Sequence, residues 1–304
     1  MNKTPLVSVI MNCYNSETYL REAIESVLNQ TYPHFEIIFW DNQSMDESGN
    51  IAQSYDDDRI KYFYAPTHTS LGEGRNCALR ECSGEYIAFL DCDDRWVANK
   101  LALQLSILHE HPEILFCFGS YIRYFQTSKT EITIHPCSKK IYTFSDIFRH
   151  YPINLQTVLF HKRLLESVDH YFDKRLHFSE EYDFFLRLLY THSALCISEP
   201  LALYRIHNDQ ITHRYFERAS SENELILTKL LSLHPEITTS HNVIFFQAKT
   251  AYYRAKFLMQ SNQKSTARLL LSPFKFLSPP FFLLYLLSFS KMMWDIADYI
   301  KGRG

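Results

Sequence analysis

Two clusters of acidic residues carry the chemistry most visible in this sequence. The first, "FLDCDD", sets Asp91, Asp93 and Asp94 within four positions at the end of a hydrophobic run. Carboxylates this close repel one another and are costly to bury without partners. Asp91 and Asp93 are two apart, so in an extended segment their side chains point the same way. Two oxygen donors on one side suit a hard divalent cation, Mg2+ or Mn2+, which would neutralise the cluster and bridge to a diphosphate. The same letters also suit a turn in which Asp side chains accept local backbone hydrogen bonds. The second cluster is "SEEYDFFLRLLY". Ser179 is placed as an N-cap, and Glu180, Glu181 and Asp183 fall in the first turn, where the helix dipole favours negative charge. Spacing alone makes this a capped helix with Asp183 and Arg187 as an i,i+4 surface pair.

The elements around these clusters alternate. "LVSVIM" (Leu6 to Met11), "FEIIFW" (Phe35 to Trp40), "IKYFYA" and "EYIAFL" (Glu85 to Leu90) are apolar runs of the kind a strand buried on both faces requires. Between them "SETYLREAIESVLNQ", "DESGNIAQSY" and "GRNCALREC" read as helices. Repeated βα units predict an α/β fold, an open, mostly parallel Rossmann-like sheet flanked by helices. Ligands of such sheets bind beyond the carboxyl ends of the strands. Those ends read "NCYN", "DNQSMD" and "DCDD", so amides and carboxylates converge on one rim able to hold a base, a ribose and a metal.

The blocks "VSVIMNCYN", "DNQSMDES", "GEGRNCALRECSGEYIAFLDCDD" and "EEYDFFLRL", in that order, resemble the family-2 glycosyltransferases. The match is dense from Leu6 to Asp94 and returns from Glu180 to Thr212. The resemblance implies a GT-A fold, a nucleotide-diphosphate sugar as donor, with Asp41 and the DxD motif pointing to UDP, and inverting transfer to a hydroxyl of a glycan or lipid-linked saccharide, as in bacterial surface polysaccharide assembly. Residue by residue, it implies that Cys13, Tyr14 and Asn15 cup the nucleotide base, that Asp41 bonds the base, and that Asp91 meets the ribose or base side. It makes Asp93 the metal ligand and leaves Asp94 as an extra acid. Arg75 and Asn76 match the family's "RN" pair, which would face the nucleotide, against a plain reading as a surface cation and a helix-end residue. Glu181 stands where the family has an aspartate as catalytic base, with Glu180 and Asp183 as alternatives. In "YRIHNDQIT", His207 is a further candidate for the metal and Arg205 for a phosphate. Two other classes stand beside this one: a sugar nucleotidyltransferase, whose Gly- and Arg/Lys-rich phosphate loop is missing from "NCYNSE", and an inactive sugar-nucleotide-binding module.

Composition bounds the remainder. The 304 residues carry a formal net charge of −3, which gives no sign of a nucleic-acid partner. Seven scattered cysteines without a CxxC pair fit reduced thiols, and the strand-like start leaves no room for a signal peptide, so the cytosol is the expected compartment. The expected organisation is a catalytic domain over 1–214, split into a nucleotide-sugar half (1–125) and an acceptor half (126–214), followed by a helical region over 215–304. In the acceptor half, Tyr142, Phe144, Phe148 and Tyr151 are read either as sugar-stacking rings or as core. The segment 279–304 is too interrupted by Lys291, Asp295 and Asp298 to span a bilayer. It reads as an interfacial helix at the inner face of the membrane, with Trp294, Tyr299, Lys291, Lys301 and Arg303 near the headgroups, or as a helix packing on its neighbours or on a dimer partner.

Overall fold

The computed structural model describes residues 4–207 and 216–302. The chain divides into two compact units, residues 1–210 and 211–304. In the first, β1 (Val7–Cys13), α1 (Glu17–Leu28), β2 (Phe35–Asp41), α2 (Ser48–Gln53), β3 (Ile60–Tyr64), α3 (Leu71–Glu81) and β4 (Tyr86–Phe89) follow in the expected alternation. There follow β5 (Arg95–Trp96), α4 (Lys100–Glu110), β6 (Phe116–Phe125), β7 (Thr130–Ile134), β8 (Ile141–Tyr142), α5 (Phe144–Arg149), β9 (Leu159–His161), α6 (Glu180–Leu188) and β10 (Ala194–Ile206).

One sheet runs in the order β3-β2-β1-β4-β9-β6-β10-β5, with β7 added to β6 and β8 to β10. It is parallel from β3 to β4 and mixed beyond, where β9 pairs antiparallel with both β4 and β6. Every residue of β2 is buried, the outcome of an apolar run covered on both faces. The register Cys13↔Asp41↔Tyr64 ends three strands level with one another. Their polar continuations therefore share one rim.

Cys137 and Cys196 pair as a disulfide with Cα atoms 6.1 Å apart, which corrects the expectation that all seven cysteines stay as thiols. Spacing offered no hint of it. The pairing of β8 with β10 brings the 137–140 segment alongside Cys196, whose N–H donates to the Lys140 carbonyl at 2.8 Å. The other five cysteines are free.

The second unit holds α7 (Ala219–Leu233), α8 (His241–Gln260), α9 (Lys264–Leu271), α10 (Pro279–Leu287) and α11 (Lys291–Gly302). Ala255, Met259, Ala267, Leu271 and Trp294 form its core. Trp294 is 3% exposed, so it is a core residue and not a headgroup anchor. The side chains of Asp298, Tyr299, Lys301 and Arg303 lie outside the described residues, as does the stretch 208–212. Among the described residues no helix is long and apolar enough to cross a membrane.

Gly84 shows how closely the parallel half is packed. A Cβ there would lie 2.5 Å from the Ser8 backbone nitrogen and 2.8 Å from the Leu6 carbonyl oxygen. Backbone cannot yield as a side-chain tip does, so Gly84→Ala is expected to cost about 1–3 kcal/mol, read as a lower urea midpoint with an unchanged m-value.

Candidate active site

The site is organised around Arg75. It lies on α3, whose N-cap Ser70 accepts a hydrogen bond from the Glu73 N–H. The residue is 3% exposed, so the plain reading of a surface cation is corrected. Its Nη1 donates to Glu180 Oε1 at 3.0 Å and its Nη2 to Asp91 Oδ1 at 3.2 Å. One buried guanidinium thus joins the two acidic clusters across 105 residues of sequence. Burial opposes its charge, yet Asp91, Glu180 and Glu181 together raise its pKa, and it stays a cation.

The "DCDD" segment is a turn, with the Asp94 N–H donating to the Asp91 carbonyl at 3.1 Å. The expectation that Asp91 and Asp93 point the same way rested on an extended backbone, and the turn parts them. Asp91 faces Arg75 and Gln156: Gln156 Nε2 donates to Asp91 Oδ2 at 2.6 Å, and its Oε1 accepts from the Asp91 N–H at 2.8 Å. Asp93 Oδ2 instead meets His207 Nε2 at 2.9 Å. Asp94 is buried, and burial, then Asp93 and Asp91, lift its carboxyl far above the usual range.

Arg205, read as a phosphate partner, is a clamp. Its N–H donates to Asp94 Oδ1 at 2.7 Å, its Nε to the Asp93 carbonyl, its Nη1 to Gln126 and its Nη2 to Glu22, while the guanidinium covers Tyr19 at 4.2 Å. Asn76 is likewise committed inside the protein. Its amide exchanges two hydrogen bonds with Phe172 and donates to Glu73, so it ties α3 to the segment that approaches α6.

The rim at the ends of β1 and β2 is laced by polar loops. Asn15, with φ of 50°, donates its N–H to Ser44 Oγ and accepts from the Met45 N–H at 2.8 Å. Asp41 is 1% exposed and accepts from the Ser44 N–H and the Tyr62 hydroxyl, each at 2.7 Å. Cys13 is buried beside Ser44, whereas Tyr14 is 45% exposed and its ring lies 4.4 Å from that of His68. His68 and Gln156 are rim residues that the sequence reading missed, since neither falls in an acidic or repeated pattern.

On α6 the three acids differ. Glu180 is buried against Arg75. Asp183 is 0% exposed and receives both Nε and Nη2 of Arg187, whose guanidinium also reaches the His170 and Tyr171 carbonyls. That pair is buried, which corrects its reading as a surface pair. Glu181 is partly exposed and, among the described residues, is held by no hydrogen bond or ion pair. Desolvation carries its pKa up to about 8; Arg75 holds it back, and Glu180 and Asp91 add to the rise. A carboxyl poised there can take a proton near neutral pH. Tyr142 and Phe148 are buried, so these two are core and not sugar platforms.

Asp93 and His207 also pass a test of fit to a divalent cation. A carboxylate oxygen and an imidazole nitrogen are both accepted by Mn2+, and two neighbouring ligands with bonds of about 2.1 Å stand roughly 3 Å apart. Among the described residues no third His, Cys, Asp or Glu completes a cluster with them.

A half-parallel sheet with an acidic carboxyl edge, linked through Arg75 to an acidic helix, is the arrangement of the GT-A-type fold. The model of the family "Glycosyl transferase family 2" matches residues 8–170, and the chain belongs to that family. It is 30% identical to a Bacillus subtilis (strain 168) glycosyltransferase named for teichuronic acid biosynthesis, TuaG, over 77% of this chain and 91% of that protein. It is also 30% identical to the Escherichia coli UDP-Glc:alpha-D-GlcNAc-diphosphoundecaprenol beta-1,3-glucosyltransferase WfgD, over 73% of this chain and 85% of that protein. Among solved structures, Staphylococcus aureus TarS 1–349 with UDP-GlcNAc shares the fold at a TM-score of 0.64 and 20% identity, over 93% of this chain and 79% of that one. The Pyrobaculum calidifontis mannosyltransferase PcManGT, in complex with GDP-Man and Mn2+, does so at 0.63 and 15% identity, over 97% and 87%.

Removing Arg75 would leave Asp91 and Glu180 facing each other without a cation. Arg75→Met is expected to destabilise by about 3–5 kcal/mol in urea unfolding, and adding Glu180→Gln to recover part of that loss.

Proposed function

We propose that this glycosyltransferase moves a sugar, with inversion, from a UDP-sugar to a hydroxyl of a saccharide or lipid-linked saccharide in bacterial surface polysaccharide assembly. Glu181 is the observation that carries the reading: it is the one α6 acid left unengaged among the described residues, and it shares the Arg75 cluster with Asp91. In the reaction its carboxylate takes the proton of the acceptor hydroxyl as that oxygen bonds to the anomeric carbon. The bond from that carbon to the diphosphate breaks on the opposite side, which inverts the centre. Asp91 with Arg75 would orient the ribose and diphosphate, and Cys13, Tyr14, Asn15 and Asp41 would frame the base. Asp93 and His207 would hold Mg2+ or Mn2+, which supplies Lewis-acid stabilisation of the leaving diphosphate when bound. The names of WfgD, with its UDP-Glc donor and lipid-diphosphate acceptor, and of TuaG support the donor and the setting.

The test is a transfer assay with UDP-sugars beside calorimetric titration of UDP with and without Mn2+. Asp93→Asn is expected to lose the metal-dependent part of UDP binding. Glu181→Gln should keep UDP binding and lose transfer by about 10²–10⁴-fold. Undiminished transfer by Glu181→Gln would remove it as the base.

Two pH dependences follow from the raised carboxyl. The base works deprotonated, so kcat/KM should climb about tenfold per pH unit below roughly pH 8 and level off above it. Stability runs the other way. Between the ordinary value of 4.5 and about 8, the folded protein holds a proton at Glu181 that the unfolded chain does not, so stability falls as pH rises through that window. Glu181→Gln should therefore melt above the parent at about pH 9 and level with it at about pH 4.

A further inference from the structure

Charge is divided unequally along the chain. Residues 211–304 carry twelve Lys and Arg against six Asp and Glu, a formal +6, within a protein whose net charge is −3. From Ile237 to Trp294 there are seven Lys and Arg and no acid at all. The same unit shows most of the exposed large hydrophobic side chains among the described residues. Of the seventeen large hydrophobic side chains that are exposed among the described residues, twelve lie between Leu233 and Ile296.

Part of that surface is continuous. On α10, Leu284, Tyr285 and Leu287 pack on the core of the unit, whereas Phe282, Leu283 and Leu286 face water. Phe276, 81% exposed, stacks beside Phe282 with ring centres 6.1 Å apart. Lys275 spans Phe276 at 5.0 Å and Tyr285 at 5.3 Å. Tyr285 meets Phe289, and Arg268 lies 4.2 Å over the Phe289 ring. Aromatic rings and cations alternate over one surface, with Met292 and Met293 exposed at the start of α11. Exposed Phe and Leu gain by entering an acyl boundary, and Lys and Arg beside them gain by pairing with anionic headgroups.

We infer that this face docks on an anionic lipid bilayer, with Phe276, Phe282 and Phe289 entering the interface and Arg268 and Lys275 meeting the headgroup charge. A soluble acidic partner would satisfy the cations but leave the apolar side chains in water, and a second copy would have to match the same basic surface to itself. The inference stands on charge and exposure alone, and its readout needs neither nucleotide nor transfer, so it can fail without the proposed reaction failing, and the reverse.

The test is co-sedimentation of the full chain with vesicles of phosphatidylcholine alone and of equal parts phosphatidylcholine and phosphatidylglycerol, at low and high salt. The full chain is expected to bind the anionic vesicles at least tenfold better than the neutral ones and to be released by salt. Two variants, R268E/K275E and F276S/F282S/F289S, should each lose at least tenfold of that binding while keeping the parent's circular dichroism and melting curve. Equal binding to both vesicle types, or undiminished binding by both folded variants, would overturn the inference. So would sedimentation velocity that finds a dimer broken by the same variants together with no vesicle binding.

Discussion

A single buried cation holds the catalytic unit together. Arg75 lies between Asp91 and Glu180, and without it two carboxylates from distant parts of the chain, one of them buried, would be left with no cation between them. Much of the surrounding structure serves that arrangement. Asn76, next along α3, fixes Phe172 and with it the approach to α6. Phe172 in turn lies under the Arg75 guanidinium, 5.5 Å from ring centre to Cζ. Gln156 grips the far side of Asp91. Position and charge compensation are the same set of contacts here, so the cluster cannot be loosened in one respect alone.

Glu181 sits within reach of that field without being tied into it. Desolvation opposes its ionisation more than Arg75 favours it, and a carboxylate opposed in this way is a stronger base than one relaxed by a partner. The cost falls on folding, because the ionised form of Glu181, the one the proposed proton transfer uses, is the form the folded state disfavours. Glu180 and Asp183 show the alternative arrangement on the same helix, each held by a guanidinium partner.

The parallel half of the fold was legible because its strands are continuous apolar runs and its rim residues follow each run directly. Family resemblance then assigned Glu181 and Asp93 to an acidic cluster each. What escaped depends on partners far along the chain. Nothing near Arg205 announces that Asp93, Asp94, Gln126 and Glu22 will surround it. The i,i+4 spacing of Asp183 and Arg187 is identical for a surface pair and a buried one, and only packing of the loop around His170 decides between them. "DCDD" fits strand end and turn equally as letters; the turn separates Asp91 from Asp93, and so divides what looked like one two-oxygen site between an arginine and a histidine. Trp294 was misplaced for a similar reason, since an amphipathic segment does not state which face carries its tryptophan.

The uneven charge has a consequence for the protein in solution. A sequence isoelectric point near 6.5 averages a 211–304 unit of formal charge +6 with a 1–210 unit of −9, and it describes neither. Near that pH a molecule has little net charge to repel its neighbours while each still presents regions of opposite sign, so attraction between molecules is greatest where colloidal stability is least. Added salt should screen that attraction before it strengthens apolar association, which makes this a chain that salts in before it salts out.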